Sequence, residues 1–247
     1  MRETRSIMGM PVVLEIVGGA PSSEYDGVFS FLREVDERFS TYKEGSEVSR
    51  INRGEIEPDA YSSELTEILE RAEETKRITG GYFDVYTPDG TLDPSGLVKG
   101  WAIQRAAELL RSRGLDQFYL EIAGDIQTSG MNRDGKEWSI GIRNPFASEE
   151  VVKVVYPHGR GVATSGTYVR GAHIYDPHAG TTASDAFVSL TVIGPNVYEA
   201  DRLATAAFAM GERGIEFLER FGGCEAYAIT PSGTAVMTSG FEAYTSL

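Results

Sequence analysis

FVSLTVIGPNVYEADRLATAAFAMG, residues 187–211, holds the change of pattern that decides the fold class. Phe187–Ile193 is an apolar, β-branched run of strand length. From about Tyr198 to Met210 the pattern is helical, and Gly211 stops it. Upstream, strand candidates come in a run: Gln117–Gln127, Trp138–Ile142, Val151–Tyr156 and Gly161–Thr164. Asn144-Pro145 and Pro157-His158-Gly159 are the turns among them. Downstream, a helix over Ile215–Phe221 ends at Gly222-Gly223, and two strands close the chain. Near the start, residues 8–17 read as a first strand. Ser22 and Ser23 then cap a helix with Val28, Phe31, Leu32, Val35 and Phe39 on one face. A second helix follows Ser62, with Leu65, Ile68, Leu69, Ala72 and Ile78, and a third runs from about Lys99 to Arg113. Strands in runs, with helices between the runs, predict an α+β fold rather than strict βαβ alternation.

Composition narrows the function classes. The 247 residues suffice for one large domain with a substantial core. A formal charge of −14, with no basic run, argues against nucleic acid, whose phosphates call for a positive footprint. An acidic protein that binds a phosphate ligand needs local compensation from a metal, a lysine or a helix N-terminus. Cys224 is the single cysteine, so no internal disulfide forms. The N-terminal stretch lacks the pattern of a signal peptide, and no apolar run reaches membrane-spanning length. The sequence as given therefore reads as cytoplasmic, or as exported if a leader precedes it.

Four constellations could carry chemistry. Asp201 and Thr205 lie four apart on a helix, so their side chains share a face. They offer two hard oxygen ligands of the kind magnesium takes. Alternatively, Asp201 is an ordinary first-turn charge and Thr205 merely packs. LDPSGLVKG, 92–100, leads through a Ser95-Gly96 turn into a helix near Lys99. It reads as a phosphate cradle or as a plain strand-turn-helix, and it lacks Walker spacing. ATSGTYVRGAHIYDPHAG, 163–180, gathers small residues, hydroxyls, His173, Asp176 and His178; a histidine near a phosphate could serve as acid, base or donor. FSTYKEGSEVSRIN, 39–52, is a helix end and polar loop whose tyrosine could stack on an aromatic ligand.

Taken together and in order, these segments resemble the ApbE-type FAD:protein FMN transferases. The resemblance is carried by RFSTYKEGSEVSRIN (38–52), TGGYFDV (79–85), DPSGLVKG (93–100), LEIAGDIQTSG (120–130), VATSGTY (162–168), HIYDPHAG (173–180) and the 189–211 block. It implies a single α+β domain over 1–247, built of two T-fold-like halves with antiparallel sheets and packed helices. It implies a Mg2+ ion held by Asp201, Thr205 and the backbone carbonyl of Gly96. FAD, as substrate, would contact Tyr42, Lys99, Glu121, Gly124, Asp125, Thr164, Ser165, Gly166 and His173. His173 and Asp201 would be the catalytic pair. The partner implied is an acceptor protein whose Thr or Ser hydroxyl takes FMN, with AMP released. Two departures stand out. Glu121-Ile122-Ala123-Gly124-Asp125 replaces the usual N-x-G-G-[DE], and Thr167 replaces an acid common after ATSG. An FAD pyrophosphatase releasing FMN would use the same electrophile, and a non-catalytic flavin carrier is the alternative from a different class.

Overall fold

The structure, a computed structural model, describes residues 1–167, 175–182 and 185–246. The chain opens on a hairpin of β1 (Arg2–Ile7) and β2 (Met10–Ile16). Its turn is Met8-Gly9, with φ of 57° and 69°, the pair of positive values that suits the twist of a two-residue hairpin. The single strand expected over 8–17 therefore begins at Met10, and a strand precedes it. β1 escapes pattern reading because RETRSI is a polar sheet edge with Arg2, Thr4 and Ser6 exposed.

α1 (Ser22–Phe39) starts after Pro21 with no side-chain cap, so Ser22 and Ser23 lie within the helix rather than capping it. It buries Tyr25, Val28, Phe29, Leu32, Val35 and Phe39. α2 (Glu47–Asn52) occupies what reads as loop, and its N-cap Ser46 accepts from the Ser49 amide at 3.0 Å. Asn52 clamps Leu92 through two hydrogen bonds of 2.9 and 2.8 Å. α3 (Ser63–Ile78) follows Ser62 as expected, with Leu65, Ile68 and Ala72 inward, and the Ser62 hydroxyl caps it by accepting from the Leu65 amide at 3.2 Å. α4 (Ser95–Ser112) begins one turn before Lys99, so Ser95 and Gly96 belong to its first turn.

The expected strand over 117–127 is a hairpin, β3 (Phe118–Ile122) and β4 (Asp125–Ser129), turned at Ala123 (φ 49°) and Gly124 (φ 93°). β5 (Ile140–Asn144) and β6 (Ala147–Val155) form a separate two-stranded sheet. β7 (Gly161–Gly166) follows, then the short pair β8 (Tyr175–Asp176) and β9 (Thr181–Thr182). β10 (Ser189–Gly194), α5 (Val197–Ala209), α6 (Arg213–Phe221), β11 (Glu225–Ile229) and β12 (Ala235–Met237) complete the chain.

The main sheet has eight strands in the order β1-β2-β3-β4-β7-β10-β11-β12, antiparallel throughout. Two halves of one plan meet at β4 and β7. Each has two strands, then helices, then two more strands: β1-β2, α1–α4, β3-β4 and β7-β10, α5-α6, β11-β12. This is the α+β architecture expected. Phe118, Leu120 and Ile122 pack with the helices of the first half, while Leu190, Val192 and Ala163 pack against α5. On the other face, Ile126, Val162 and Ile193 meet Ile140, Ile142 and Val155 of the β5–β6 hairpin. Between hairpin, sheet and helix ends a cleft is left open. Among the described residues, no helix is long and apolar enough to cross a membrane.

Candidate active site

The cleft has a volume of about 510 Å³ and lies at the seam between the halves, within the size range of small-molecule and cofactor sites. One corner of it is where α4 crosses α5. The crossing is close because residue 100 is glycine. A Cβ there would stand 2.7 Å from the Cβ of Asp201 and 3.2 Å from the Cα of Tyr198. The contact lets the Gly100 amide donate to Asp201 Oδ2 at 2.8 Å. Asp201 is 4% exposed, so the reading of it as a solvated first-turn charge is corrected.

Lys99, next to Gly100, carries the only ammonium at this corner among the described residues. It pairs with Asp125 Oδ2 and lies 3.6 Å from Asp201 Oδ1. Asp125 opens β4, is fully buried, and accepts the Thr164 amide of β7 at 3.2 Å. Thr164 shares a 2.9 Å hydrogen bond with Thr191 of β10. One network thus ties together α4, α5, β4, β7 and β10. Burial holds the Asp201 carboxyl above the ordinary carboxylate range; Lys99 opposes the shift and Asp125 adds to it.

Gly96 and Thr205 complete the corner. A Cβ on Gly96 would lie 3.7 Å from the Thr205 methyl, and Gly96, Lys99, Asp201 and Thr205 all line the cleft. The donor set is a carboxylate, a hydroxyl and a backbone carbonyl, all hard oxygens. Among the described residues no three acids, histidines or cysteines gather into a metal cluster. Magnesium does not need one, since it is commonly held by one or two carboxylates, substrate phosphates and waters. The residues present fit the ion.

Of the other expected ligand contacts, Glu121, Gly124, Thr164, Ser165 and Gly166 all line this cleft. Asp125 does not; it stands behind the wall and fixes Lys99. Tyr42 is not brought to this cleft wall. It is 96% exposed on the loop after α1 and is no part of the wall. Lys43 ties that loop back to Asp36 of α1 at 2.7 Å, which leaves the ring in solvent. His173 lies outside the described residues. His178 bonds the Gly80 carbonyl at 2.9 Å and packs on Tyr82 with ring centroids 4.4 Å apart, joining the 173–180 segment to the 79–85 segment.

A sequence model of the ApbE family matches residues 8–89 and 86–228. The chain belongs to the ApbE family.

Among relatives, this ApbE-family chain is 29% identical over 246 residues to an FAD:protein FMN transferase of Vibrio cholerae. That match covers 76% of this chain and 74% of the relative. An FAD:protein FMN transferase of Escherichia coli K12 is 30% identical over 166 residues, covering 64% of this chain and 47% of the relative, so the match spans about half of that protein. Among solved structures, the flavin transferase ApbE of Vibrio cholerae is similar at a TM-score of 0.88 and 26% identity, covering 99% and 98% of the two chains. The flavinyl transferase ApbE of Pseudomonas stutzeri has a TM-score of 0.85 over 100% and 97% of the chains; at 23% identity it speaks for the fold alone.

Sequence reading missed parts of the site. The Lys99–Asp125 pair and the Gly100 contact are tertiary and leave no local signal. Arg2 reaches the cleft from a strand that was not recognised. Tyr119 is not among the expected site residues; the alternation of FYLEI, which places it on the face of Glu121, is the signal that could find it.

Proposed function

We propose that this chain is a magnesium-dependent FAD:protein FMN transferase. It would cleave FAD, join FMN through a phosphoester to a Thr or Ser of an acceptor protein, and release AMP. The observation that carries the proposal is the α4–α5 corner. There Gly96, Lys99, Asp201 and Thr205 converge on one open cleft in a chain of this family.

Asp201, Thr205 and the Gly96 carbonyl would hold the ion. When bound, Mg2+ would neutralise charge on the diphosphate and the departing phosphate. The chain's own residues do the rest. Lys99 places its ammonium beside the phosphates, aimed by Asp125 and Asp201. The Thr164–Gly166 strand end and the Gly124 turn line the same cleft and would hold the substrate in line. The acceptor hydroxyl oxygen attacks the phosphorus on the FMN side, the bond from that phosphorus to the bridging oxygen breaks, and AMP leaves with that oxygen. The hydroxyl proton passes to a nearby base, for which His173 or a cleft carboxylate is proposed.

The test is incubation with FAD, magnesium and candidate acceptor domains, followed by intact-mass measurement. An FMN-sized gain on the acceptor supports transfer. FMN and AMP released with the acceptor unmodified would show hydrolysis instead.

A further inference from the structure

The cleft has a second polar element, away from the buried corner. β3 sends Phe118, Leu120 and Ile122 into the core, which leaves Tyr119 and Glu121 two apart on the opposite face, both on the cleft wall. The Tyr119 hydroxyl donates to Glu121 Oε2 at 2.6 Å, the short length of a charge-assisted bond. The Tyr119 ring is itself fixed. Trp138 packs on it at a centroid distance of 5.5 Å, and the Trp138 indole is pinned by donation to the Ser129 carbonyl at 3.1 Å. Arg2 lies 5.3 Å from the centroid of the tyrosine ring. Burial, reinforced by the Glu121 carboxylate, pushes the tyrosine's ionisation upward, so its hydroxyl remains a donor.

This pair has a one-sided hydrogen-bonding capacity. A carboxylate only accepts, and the single tyrosine proton is already engaged. A group that hydrogen-bonds to the Glu121 carboxylate must bring an N–H or O–H. We propose that Tyr119 is a positioning residue that locks Glu121 as a fixed acceptor for a donor edge of the bound dinucleotide. The idea rests on the FAD reading above. FAD carries such donors at both ends: the flavin imide N–H and ribityl hydroxyls on one side, the adenine amino group and ribose hydroxyls on the other.

The experiment compares wild type, Tyr119→Phe, Glu121→Gln and the double variant, each checked for an intact thermal melt. FAD is titrated by flavin fluorescence, FMN and AMP are titrated separately, and FAD turnover is measured at saturation. Glu121→Gln should weaken FAD by about tenfold, as for a lost hydrogen bond to a charged group. Tyr119→Phe should weaken it about threefold, and the double variant should be no weaker than Glu121→Gln, because tyrosine acts through glutamate. KM should rise by a larger factor than kcat falls. A loss confined to FMN assigns the donor to the flavin half, and one confined to AMP assigns it to the adenylate half; either supports the proposal. Wild-type affinity in Glu121→Gln, or a Tyr119→Phe loss that adds in full in the double variant, overturns it. A wild-type protein that does not bind FAD overturns the FAD reading and this proposal with it.

Discussion

Two parts of the molecule that the sequence marks with equal force, the α4–α5 crossing and the Phe39–Asn52 segment, are built in opposite ways. At the crossing, Gly100 leaves no room for a side chain, and Asp201 is held by an amide and faced by an ammonium. Its neighbours Asp125 and Lys99 reach across to strands of both halves. In the 39–52 segment the order is in the backbone and in Asn52, while Tyr42 stands almost wholly in solvent. Groups that must be placed before the substrate arrives are fixed by the fold. A ring that touches nothing has no packing role, so any role it has is toward a ligand.

The largest effect should come from removing the corner's charge. Asp201→Asn keeps an oxygen for the Gly100 amide and deletes the carboxylate, so FMN transfer should fall by about a thousandfold, the scale of lost charge stabilisation at a metal. The melting temperature should move by only a few degrees, as about 1 kcal/mol implies for a chain of this size. Steady-state kinetics and a thermal melt check the two halves of that statement. Gly100→Ala attacks the same corner through packing. The added Cβ would force α4 and α5 apart, costing about 1–3 kcal/mol of stability. Displacing the site by about 1 Å should lower turnover by about a hundredfold. Urea unfolding and rate measurements on one preparation test both.

Tyr42→Ala works from the other side of the comparison. With so exposed a ring, unfolding stability should stay within about 0.5 kcal/mol. FAD affinity should fall by about 1 kcal/mol if the ring caps the ligand from the rim. Flavin fluorescence titration decides it, and an unchanged affinity would remove Tyr42 from the site. Ala123→Gly should have the smallest effect. Ala123 sits at φ 49°, a left-handed conformation that costs an L-residue about 1–2 kcal/mol and glycine far less. After glycine's greater entropy loss, a gain of about 0.5 kcal/mol should remain. It would appear as a raised urea midpoint with the slope unchanged.

Legibility follows the range of the interactions. The Asp201–Thr205 spacing is local to one helix and reads directly. So does the start of a helix after Ser62, and so does the strand-then-helix change over 187–211. The start of α4 at Ser95 is hidden because Gly96 and Pro94 look like a turn. The β3–β4 turn is hidden because Ala123 lacks the usual glycine signal. The Asp125–Lys99 pair cannot be read at all, because its partners are 26 residues apart in sequence (125 − 99) and meet only when the sheet closes against the helix. The expected FAD contacts rest on the family resemblance, and the fold brings most of those among the described residues to one cleft.

The central claim is that Asp201, Thr205 and Gly96 hold one magnesium ion beside the cleft's diphosphate position. Its most direct test is a crystal structure with magnesium and an adenine nucleotide bound. The account expects the ion at about 2.1 Å from an Asp201 carboxylate oxygen, the Thr205 hydroxyl and the Gly96 carbonyl. An ion bound elsewhere, with Asp201 and Thr205 more than about 4 Å away, would contradict it, since that lies well beyond any Mg–O bond.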